Sequence, residues 1–119
     1  MEDLTDEEIL SLAGALRGLR EELSRALATS AEGTKPVSLE QPIGRVSRMD
    51  ALQNQELAKA ARRQQELRLG QVQQALAAVK RGDYGYCRAC DEPIGIARLR
   101  ARPESPLCLR CQGGRERRR

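Results

Sequence analysis

Apolar side chains recur at alternating spacings of three and four residues near the N-terminus. These side chains are Ile9, Leu12, Leu16, Leu19, Leu23 and Ala26. The positions between them are mostly Arg, Glu, Ser and Gly, as expected for a solvated face. This heptad spacing predicts an amphipathic helix with a narrow apolar seam. Thr5 and Glu8 have the spacing of a capping box, so we predict a helix over about residues 6–30.

A second seam leads up to the first cysteine. Its apolar positions near the cysteines are Leu69, Val72, Leu76 and Val79, and farther away it thins to alanines and polar residues. No proline occurs from Gly44 to Lys80, so we predict a long helix over about residues 44–80. Residues 31–43, which contain Gly33, Pro36 and Pro42, form the predicted connector.

Neither helix can bury its stripe alone, so the two should pack against each other as an antiparallel pair. The predicted fold is mainly α. A long antiparallel coiled-coil hairpin (residues 1–80) is attached to a small four-cysteine zinc-finger module with a basic C-terminal tail (residues 81–119). We expect firm packing near the module and looser packing at the far tip. The alternative is that the second helix dimerises through its stripe; we expect a monomer.

Four cysteines are arranged as two C-x-x-C pairs. Cys87 and Cys90 precede Cys108 and Cys111 by a loop of seventeen residues. Two such pairs, using every cysteine in the chain, indicate a tetrahedral metal site, most often zinc. We therefore predict one structural Zn²⁺ held by four thiolates, with Ile94, Ile96, Leu99 and Leu107 as a small core beside it. A thiol redox switch is the alternative use of the same residues.

Composition limits the function classes. The chain has 119 residues and no His, Phe or Trp, which removes imidazole as a catalytic base or metal ligand. No phosphate-loop or nucleophile-elbow motif occurs, so we expect no enzyme. The N-terminus is acidic where a signal peptide would be basic, and no apolar run is long enough to span a bilayer. We expect a cytoplasmic protein without a membrane partner.

Charge is unevenly distributed. Residues 1–40 carry nine acids against four bases, whereas residues 80–119 carry five against eleven. In an extended stretch Arg98, Arg100 and Arg102 would share one face, which could bind an anion. Such a face favours two alternatives: sequence-independent binding of nucleic acid, or internal pairing with the acids of the first helix. The tail Arg115–Arg119 could equally be a frayed, solvated end.

Four motifs resemble the DksA/TraR family of bacterial transcription regulators. They are Gly82-Asp-Tyr-Gly-Tyr-Cys-Arg-Ala-Cys90, Pro93-Ile-Gly-Ile-Ala-Arg-Leu99, Ala101-Arg-Pro103 and Leu107-Cys-Leu-Arg-Cys111. The likeness is strong over about residues 80–112 and weak over the long preceding helix. It implies a zinc-binding end that carries a long hairpin, binding to RNA polymerase with the hairpin tip in the secondary channel, and no direct binding to DNA.

The resemblance also implies candidate contact residues. Counting back from Cys87 places the family's tip aspartate on Ser47 and the alanine two positions later on Met49, with Arg48 and Asp50 completing the tip. Asp50 is the acid nearest to these positions. For the alarmone ppGpp, Arg98 and Arg102 are the candidate anion contacts. Two further basic positions of the family fall on Gln71 and Gln112, so we expect ppGpp to bind weakly or not at all.

Overall fold

The computed structural model describes residues 3–33 and 45–117. Within these ranges the chain forms helices α1 (Asp6–Gly33), α2 (Arg45–Arg81), α3 (Ile96–Ala101) and α4 (Leu109–Arg117). The β pairing in the same ranges is a single bridge between Tyr86 and Pro93. The molecule measures 61 × 32 × 19 Å. None of the described helices is both long and apolar enough to cross a membrane.

Helix α1 begins at the predicted capping box. The backbone N–H of Glu8 donates to Thr5 Oγ1 at 3.1 Å, and the N–H of Thr5 donates to Glu8 Oε1 at 2.8 Å. These two bonds satisfy donors that the first helical turn leaves without a partner. The helix runs three residues past the expected end, because Ala31 and Glu32 favour helix and only then does Gly33 follow. The predicted connector over residues 31–43 therefore starts too early, and residues 34–44 lie outside the described part of the chain.

Helix α2 ends in a Schellman motif. Gly82 has a φ of 83°, in the left-handed region that glycine adopts without a Cβ penalty. The N–H of Gly82 donates to the carbonyl of Val79 at 3.2 Å, and the N–H of Asp83 donates to the carbonyl of Ala78 at 3.0 Å. This pair of bonds terminates the helix and turns the chain into the module.

Helices α1 and α2 pack antiparallel, and we call the pair the stalk. At one end Leu4 contacts Gly85; at the other, the side chain of Arg62 donates to the carbonyl of Leu27. Leu12, Leu16, Leu23 and Val72 form the buried seam, with Leu69, Leu76 and Val79 packed against it. The predicted hairpin pairing is confirmed, because these are the positions of the two heptad stripes.

Burial along α2 decreases away from the module. Leu16 and Val72 are fully buried, whereas Met49 is 57% exposed and Leu57 is 69% exposed. The contact between Leu27 and Arg62 sets the register, which brings Gly33 level with Glu56. Helix α2 therefore continues beyond the end of α1 for its first three turns or so. The thinning seam of the sequence corresponds to this distal part of α2.

The segment before α1 is fastened to the module. Leu4 packs against Gly85 and joins the buried cluster that contains Leu99. A hydrogen bond with Asp3 raises the pKa of Tyr86, so the tyrosine hydroxyl donates to that carboxylate. Helix α1 also contacts α3. The N-terminal end of the stalk is thus part of the module's own packing.

The module contains two short helices, α3 and α4. The shared face that Arg98, Arg100 and Arg102 would have in an extended stretch is not formed, because residues 96–101 are helical. Gly95 has a φ of 101° and its carbonyl accepts the N–H of Leu99 at 3.2 Å, which starts α3. Arg98 and Arg100 consequently do not share a face. Helix α4 continues to Arg117, so residues 115–117 are helical rather than frayed.

Two glycines provide a matched test of this packing. A Cβ at Gly85, whose φ is 101°, would lie 2.9 Å from Leu4 Cδ1, whereas a Cβ at Gly70 within α2 would meet nothing within 4 Å. We expect Gly85→Ala to lower the free energy of unfolding by roughly 2 kcal/mol. We expect Gly70→Ala to raise it by about 0.5–1 kcal/mol, because alanine favours the helix. Urea unfolding followed by circular dichroism measures both changes, and equal effects would contradict this account.

Candidate metal centre

The first cysteine pair lies on a tight turn. The N–H of Asp91 donates to the carbonyl of Cys87 at 2.9 Å, and the N–H of Cys87 donates to the carbonyl of Glu92 at 2.8 Å. Asp91 has a φ of 61°, a left-handed conformation that aspartate tolerates better than most residues. The turn folds back on itself and brings Cys87 and Cys90 to one side.

The second pair lies at the start of α4. The carbonyl of Cys108 accepts the N–H of Gln112 at 2.9 Å, so Cys108 and Cys111 are one helical turn apart. The free backbone N–H groups of a helix N-terminus favour negative charge. This end of α4 is consequently a suitable environment for thiolates.

All four sulfur atoms come together. They lie within 4.8 Å of one another, and Cys90 Sγ is 3.8 Å from Cys108 Sγ. A tetrahedron with metal–sulfur bonds of about 2.3 Å has sulfur–sulfur edges of about 3.8 Å. The four residues fit a tetrahedral metal ion of the zinc class. They leave no open ligand position for a catalytic water.

The thiols have unequal proton affinities in the metal-free chain. Burial acts to raise the pKa of Cys87, but hydrogen bonds from the backbone of Cys108, Cys90 and Ala89 lower it to about 6. A hydrogen bond from the backbone of Cys111 lowers the pKa of Cys108. Hydrogen bonds with Cys108 and Cys87, together with burial, raise the pKa of Cys111 to about 12. The cluster therefore holds protons that a metal ion must displace.

Arg110 is a neighbour of the thiol cluster that the motif did not identify. A side-chain hydrogen bond with Cys90, followed by the charges of Cys90, Cys111 and Cys108, raises the pKa of Arg110. With a metal bound, this cation would offset part of the negative charge of the four thiolates. The sequence signal for this role is the placement of Arg110 inside the second C-x-x-C pair.

The apolar residues expected beside the ion are in place. Ile94, Leu99 and Leu107 are buried, and Ile96 packs against the same cluster. Tyr84 joins them, and its hydroxyl donates to the carbonyl of Pro103 at 2.9 Å. Burial, and then the charge of Glu104, raises the pKa of Tyr84 above its ordinary range. The hydroxyl therefore stays protonated and keeps this bond.

The two candidate anion contacts differ in availability. The Nε of Arg98 donates to the carbonyl of Leu107 at 2.9 Å, and this half-buried guanidinium holds the loop before Cys108. Arg102 is exposed, and its Nε lies 3.8 Å from Glu104 Oε1. Both arginines belong to the module, but the guanidinium of Arg98 is already engaged in a structural hydrogen bond. Their role toward an anion stays a prediction.

The candidate tip residues lie at the other end of the molecule. Ser47–Asp50 belong to the first turns of α2, and Asp50 is about 47 Å along the helix from Arg81. Met49 and Asp50 are exposed, while the side chains of Ser47 and Arg48 lie outside the described part of the structure. The structure thus gathers the cysteines at one point and keeps the tip residues remote from them.

A buried carboxylate is the site residue that sequence reasoning missed. The side chain of Glu104 is fully buried, and its Oε2 accepts from Arg68 Nε of α2 at 3.3 Å. Acidic residues rarely occupy buried positions unless they are paired. Neither residue belongs to a motif, and they are 36 positions apart, so no local spacing indicates their contact.

A groove of about 680 Å³ lies beside this ion pair, between α2 and the module. Gly70, Gln71 and Gln74 line it from α2, and Tyr84 and Glu104 line it from the module. Further acids and arginines stand around it, including Arg88, which donates to Gln74 Oε1 at 2.9 Å. We refer to this space as the junction groove.

Comparison with known proteins finds a family model that matches the module. The model of the prokaryotic dksA/traR C4-type zinc finger matches residues 82–117. Because the match covers 36 of the 119 residues, the chain is similar to this family in its C-terminal module. Its C-terminal third carries all four cysteines and the helices α3 and α4, as the sequence motifs indicated.

Individual relatives extend the likeness. A protein of Caulobacter vibrioides, RNA polymerase-binding transcription factor DksA, is 46% identical over 56 residues, which are 47% of this chain and 39% of that protein. The protein of the same name from Escherichia coli is 44% identical over 41 residues, 34% of this chain and 27% of that protein. The sequence match therefore spans well under half the length of these relatives.

A solved structure covers more of the chain. Transcription factor DksA2 from Pseudomonas aeruginosa superposes with a TM-score of 0.75 at 25% identity, over 95% of this chain and 86% of that one. Because it covers 95% of this chain, the superposition includes the stalk as well as the module. The predicted fold class, a helical hairpin on a four-cysteine module, is confirmed.

Removal of zinc should affect the module and the stalk differently. With a strong chelator, we expect faster amide exchange in α3, α4 and the Cys87–Glu92 turn, because so short a segment depends on its metal for stability. The buried seam around Leu16 and Val72 should retain most of its protection. Hydrogen exchange with mass spectrometry measures both regions, and zinc re-addition is the control. Unchanged exchange in the module without metal would contradict the prediction.

Zinc affinity should fall as the pH falls. With a pKa of about 12, Cys111 is protonated in the metal-free chain at neutral pH, and the bound form needs its thiolate. Each pH unit downward should then weaken binding at least about tenfold. Below about pH 6 the slope should steepen, because Cys87 also becomes protonated. Competition with a chromophoric chelator between pH 5.5 and 8 measures this, and a flat profile would exclude it.

Proposed function

We propose that this chain is a non-enzymatic transcription regulator that binds RNA polymerase in the cytoplasm as a monomer. The observation that carries the proposal is the superposition on DksA2, which includes the stalk as well as the module. Two sequence relatives are named as RNA polymerase-binding transcription factors. The superposition covers 95% of this chain and 86% of DksA2, so the two proteins share their overall architecture.

The module is the structural base of this regulator. One Zn²⁺ held by Cys87, Cys90, Cys108 and Cys111 would supply folding stability and no chemistry, because four thiolates complete its coordination. Tyr84, Arg98 and Leu99 hold the loops around it. The base of the stalk is bound to the same unit through Leu4, so the module and the stalk orient each other.

The stalk is suited to a narrow channel. Two packed helices are about 20 Å wide and one helix thick, and α2 with its 37 residues extends about 55 Å. In the proposed complex the stalk enters the secondary channel of the polymerase, while the module remains outside. Among the described residues, the distal end of α2 would then come nearest to the active site.

Asp50 is the residue that we expect to act at the tip. It is the single acid between Arg45 and Gln55, and it is exposed on the part of α2 that continues past α1. Asp50 lies three positions after Ser47, the position matched to the family's tip aspartate, and so nearly one helical turn nearer the module. A carboxylate there can reach the polymerase if the stalk inserts correspondingly deeper.

The alarmone ppGpp should have little effect on this regulator. Arg98 is committed to the carbonyl of Leu107, and Arg102 lies near the carboxylate of Glu104. Gln71, at a position where the family has a basic residue, lines the junction groove together with acids. A multiply charged phosphate would find few free cations here.

Binding and in vitro transcription with the polymerase of the same bacterium test the proposal. Wild type should bind core polymerase and change transcript yield several-fold, with less than a twofold further change on addition of ppGpp. Asp50→Asn should bind within about twofold of wild type but lose most of the effect on yield. Glu21→Gln, an exposed carboxylate on α1 near Arg25, is the matched control and should behave as wild type.

Each alternative outcome has a distinct meaning. Absence of polymerase binding by wild type would overturn the proposal. Equal loss of activity in Asp50→Asn and Glu21→Gln would remove the assignment of Asp50. Salt-sensitive binding to bare DNA or RNA, without binding to polymerase, would favour a nucleic-acid-binding protein instead.

A further inference from the structure

The base of the stalk is joined to the module in different ways on its two sides. On the α1 side the contact is apolar: Leu4 packs against Gly85 and Leu99, and α1 contacts α3. On the α2 side the junction groove intervenes, and side-chain contacts bridge from α2 to the module. These are the ion pair of Arg68 with Glu104 and the hydrogen bond of Arg88 with Gln74.

Glu104 is fixed firmly to the module. It lies between α3 and α4 in a loop whose neighbouring carbonyls accept three hydrogen bonds. Tyr84 Oη donates to Pro103 at 2.9 Å, the N–H of Ser105 donates to Arg102 at 3.0 Å, and the N–H of Arg88 donates to Pro106 at 3.0 Å. The carboxylate therefore moves only with the module.

The backbone of Arg68 is held in the stalk. It lies in α2 four residues before Val72, which is fully buried in the seam with α1. The ion pair thus joins the stalk to the module across the junction groove. Rotation of the module against the stalk would change the distance between Arg68 and Glu104.

The two arginines near Glu104 are not equivalent. Arg68 Nε donates to Oε2 at 3.3 Å, whereas Arg102 Nε is 3.8 Å from Oε1, which has no hydrogen-bond partner among the described residues. A buried carboxylate is costly unless a cation and a hydrogen bond compensate it. Arg68 supplies both and comes from the other side of the groove. The exposed bridge between Arg88 and Gln74 has much less influence, because water competes for it.

We propose that Arg68 and Glu104 are a positioning pair that sets the angle between the stalk and the module. A small change in this angle displaces the tip substantially. Over a helix of about 55 Å, a rotation of 10° at the base moves the tip by about 10 Å. The pair would thereby determine where the tip lies when the module is docked. The consequence for transcription rests on the proposed function, but the angle itself does not.

Residual dipolar couplings of the zinc-loaded full chain test the angle without polymerase. In wild type, one alignment tensor should fit the amides of α1, α2, α3 and α4 together. In Arg68→Gln the couplings of the module should no longer fit the tensor of the stalk. Arg102→Gln is the matched control, since it removes the other arginine near the same carboxylate without spanning the groove. It should keep the single tensor of wild type.

A second variant covers the case in which the unpaired carboxylate unfolds the module. Replacing both partners (Arg68→Met with Glu104→Met) removes the charges without leaving one buried alone, a change that proteins tolerate. The folded double variant should show a changed or averaged orientation of the module. Bound zinc and dispersed module amides confirm that it is folded. Arg68→Lys, which retains the charge, should remain nearer to wild type than Arg68→Gln.

The outcomes separate this inference from the proposed function. A wild-type orientation in the double variant, or equal effects of Arg68→Gln and Arg102→Gln, would overturn the positioning role. If the angle changes and polymerase binding persists, the variants with a rotated module should lose several-fold of their effect on transcript yield. If wild type binds no polymerase, the couplings still decide the inference.

Discussion

The convergence of four sulfur atoms at one end of the chain is the constraint on which the rest of the structure depends. The turn after Tyr86 and the first turn of α4 have little apolar surface of their own. They are held together because Cys87, Cys90, Cys108 and Cys111 point to one centre. Ile94, Leu99 and Leu107 then form a small core around it. Leu4 packs against that core, so the orientation of the N-terminal helix also depends on the thiol cluster.

From this base the stalk becomes progressively less well packed. Leucine and valine fill the seam near the module, where Leu16 and Val72 are fully buried. Toward the tip the seam residues become alanine and glutamine, and the remaining large side chains, such as Leu57, are exposed. The free energy of helix pairing is therefore concentrated at the base. The distal part of α2 has a surface that is open to a partner.

The buried ion pair between Arg68 and Glu104 differs in kind from the apolar seam. Apolar packing tolerates small sliding motions, because it is not directional. A carboxylate that is buried and bonded to one guanidinium requires a defined distance and direction. Placed across a groove, such a pair would make the angle between the stalk and the module specific, as we propose above. The net contribution of the ion pair to the free energy of unfolding is secondary to this geometric role.

The sequence alone determined the scaffold, because the scaffold depends on local rules. Heptad spacing determined both stalk helices, and the Thr5–Glu8 spacing determined the N-terminal cap of α1. Gly82 determined the C-terminal end of α2, and the cysteine spacing determined the candidate metal site. Tertiary structure decided what local spacing cannot encode. Helix α3 begins after Gly95 and contains Arg98 and Arg100. Arg98 donates to the carbonyl of Leu107, and Glu104 is buried against Arg68 from a position 36 residues away. The pairing of Glu104 with Arg68 depends on how the stalk lies on the module. The bond of Arg98 to Leu107 depends on the fold of the module itself, so only the folded chain brings these partners together.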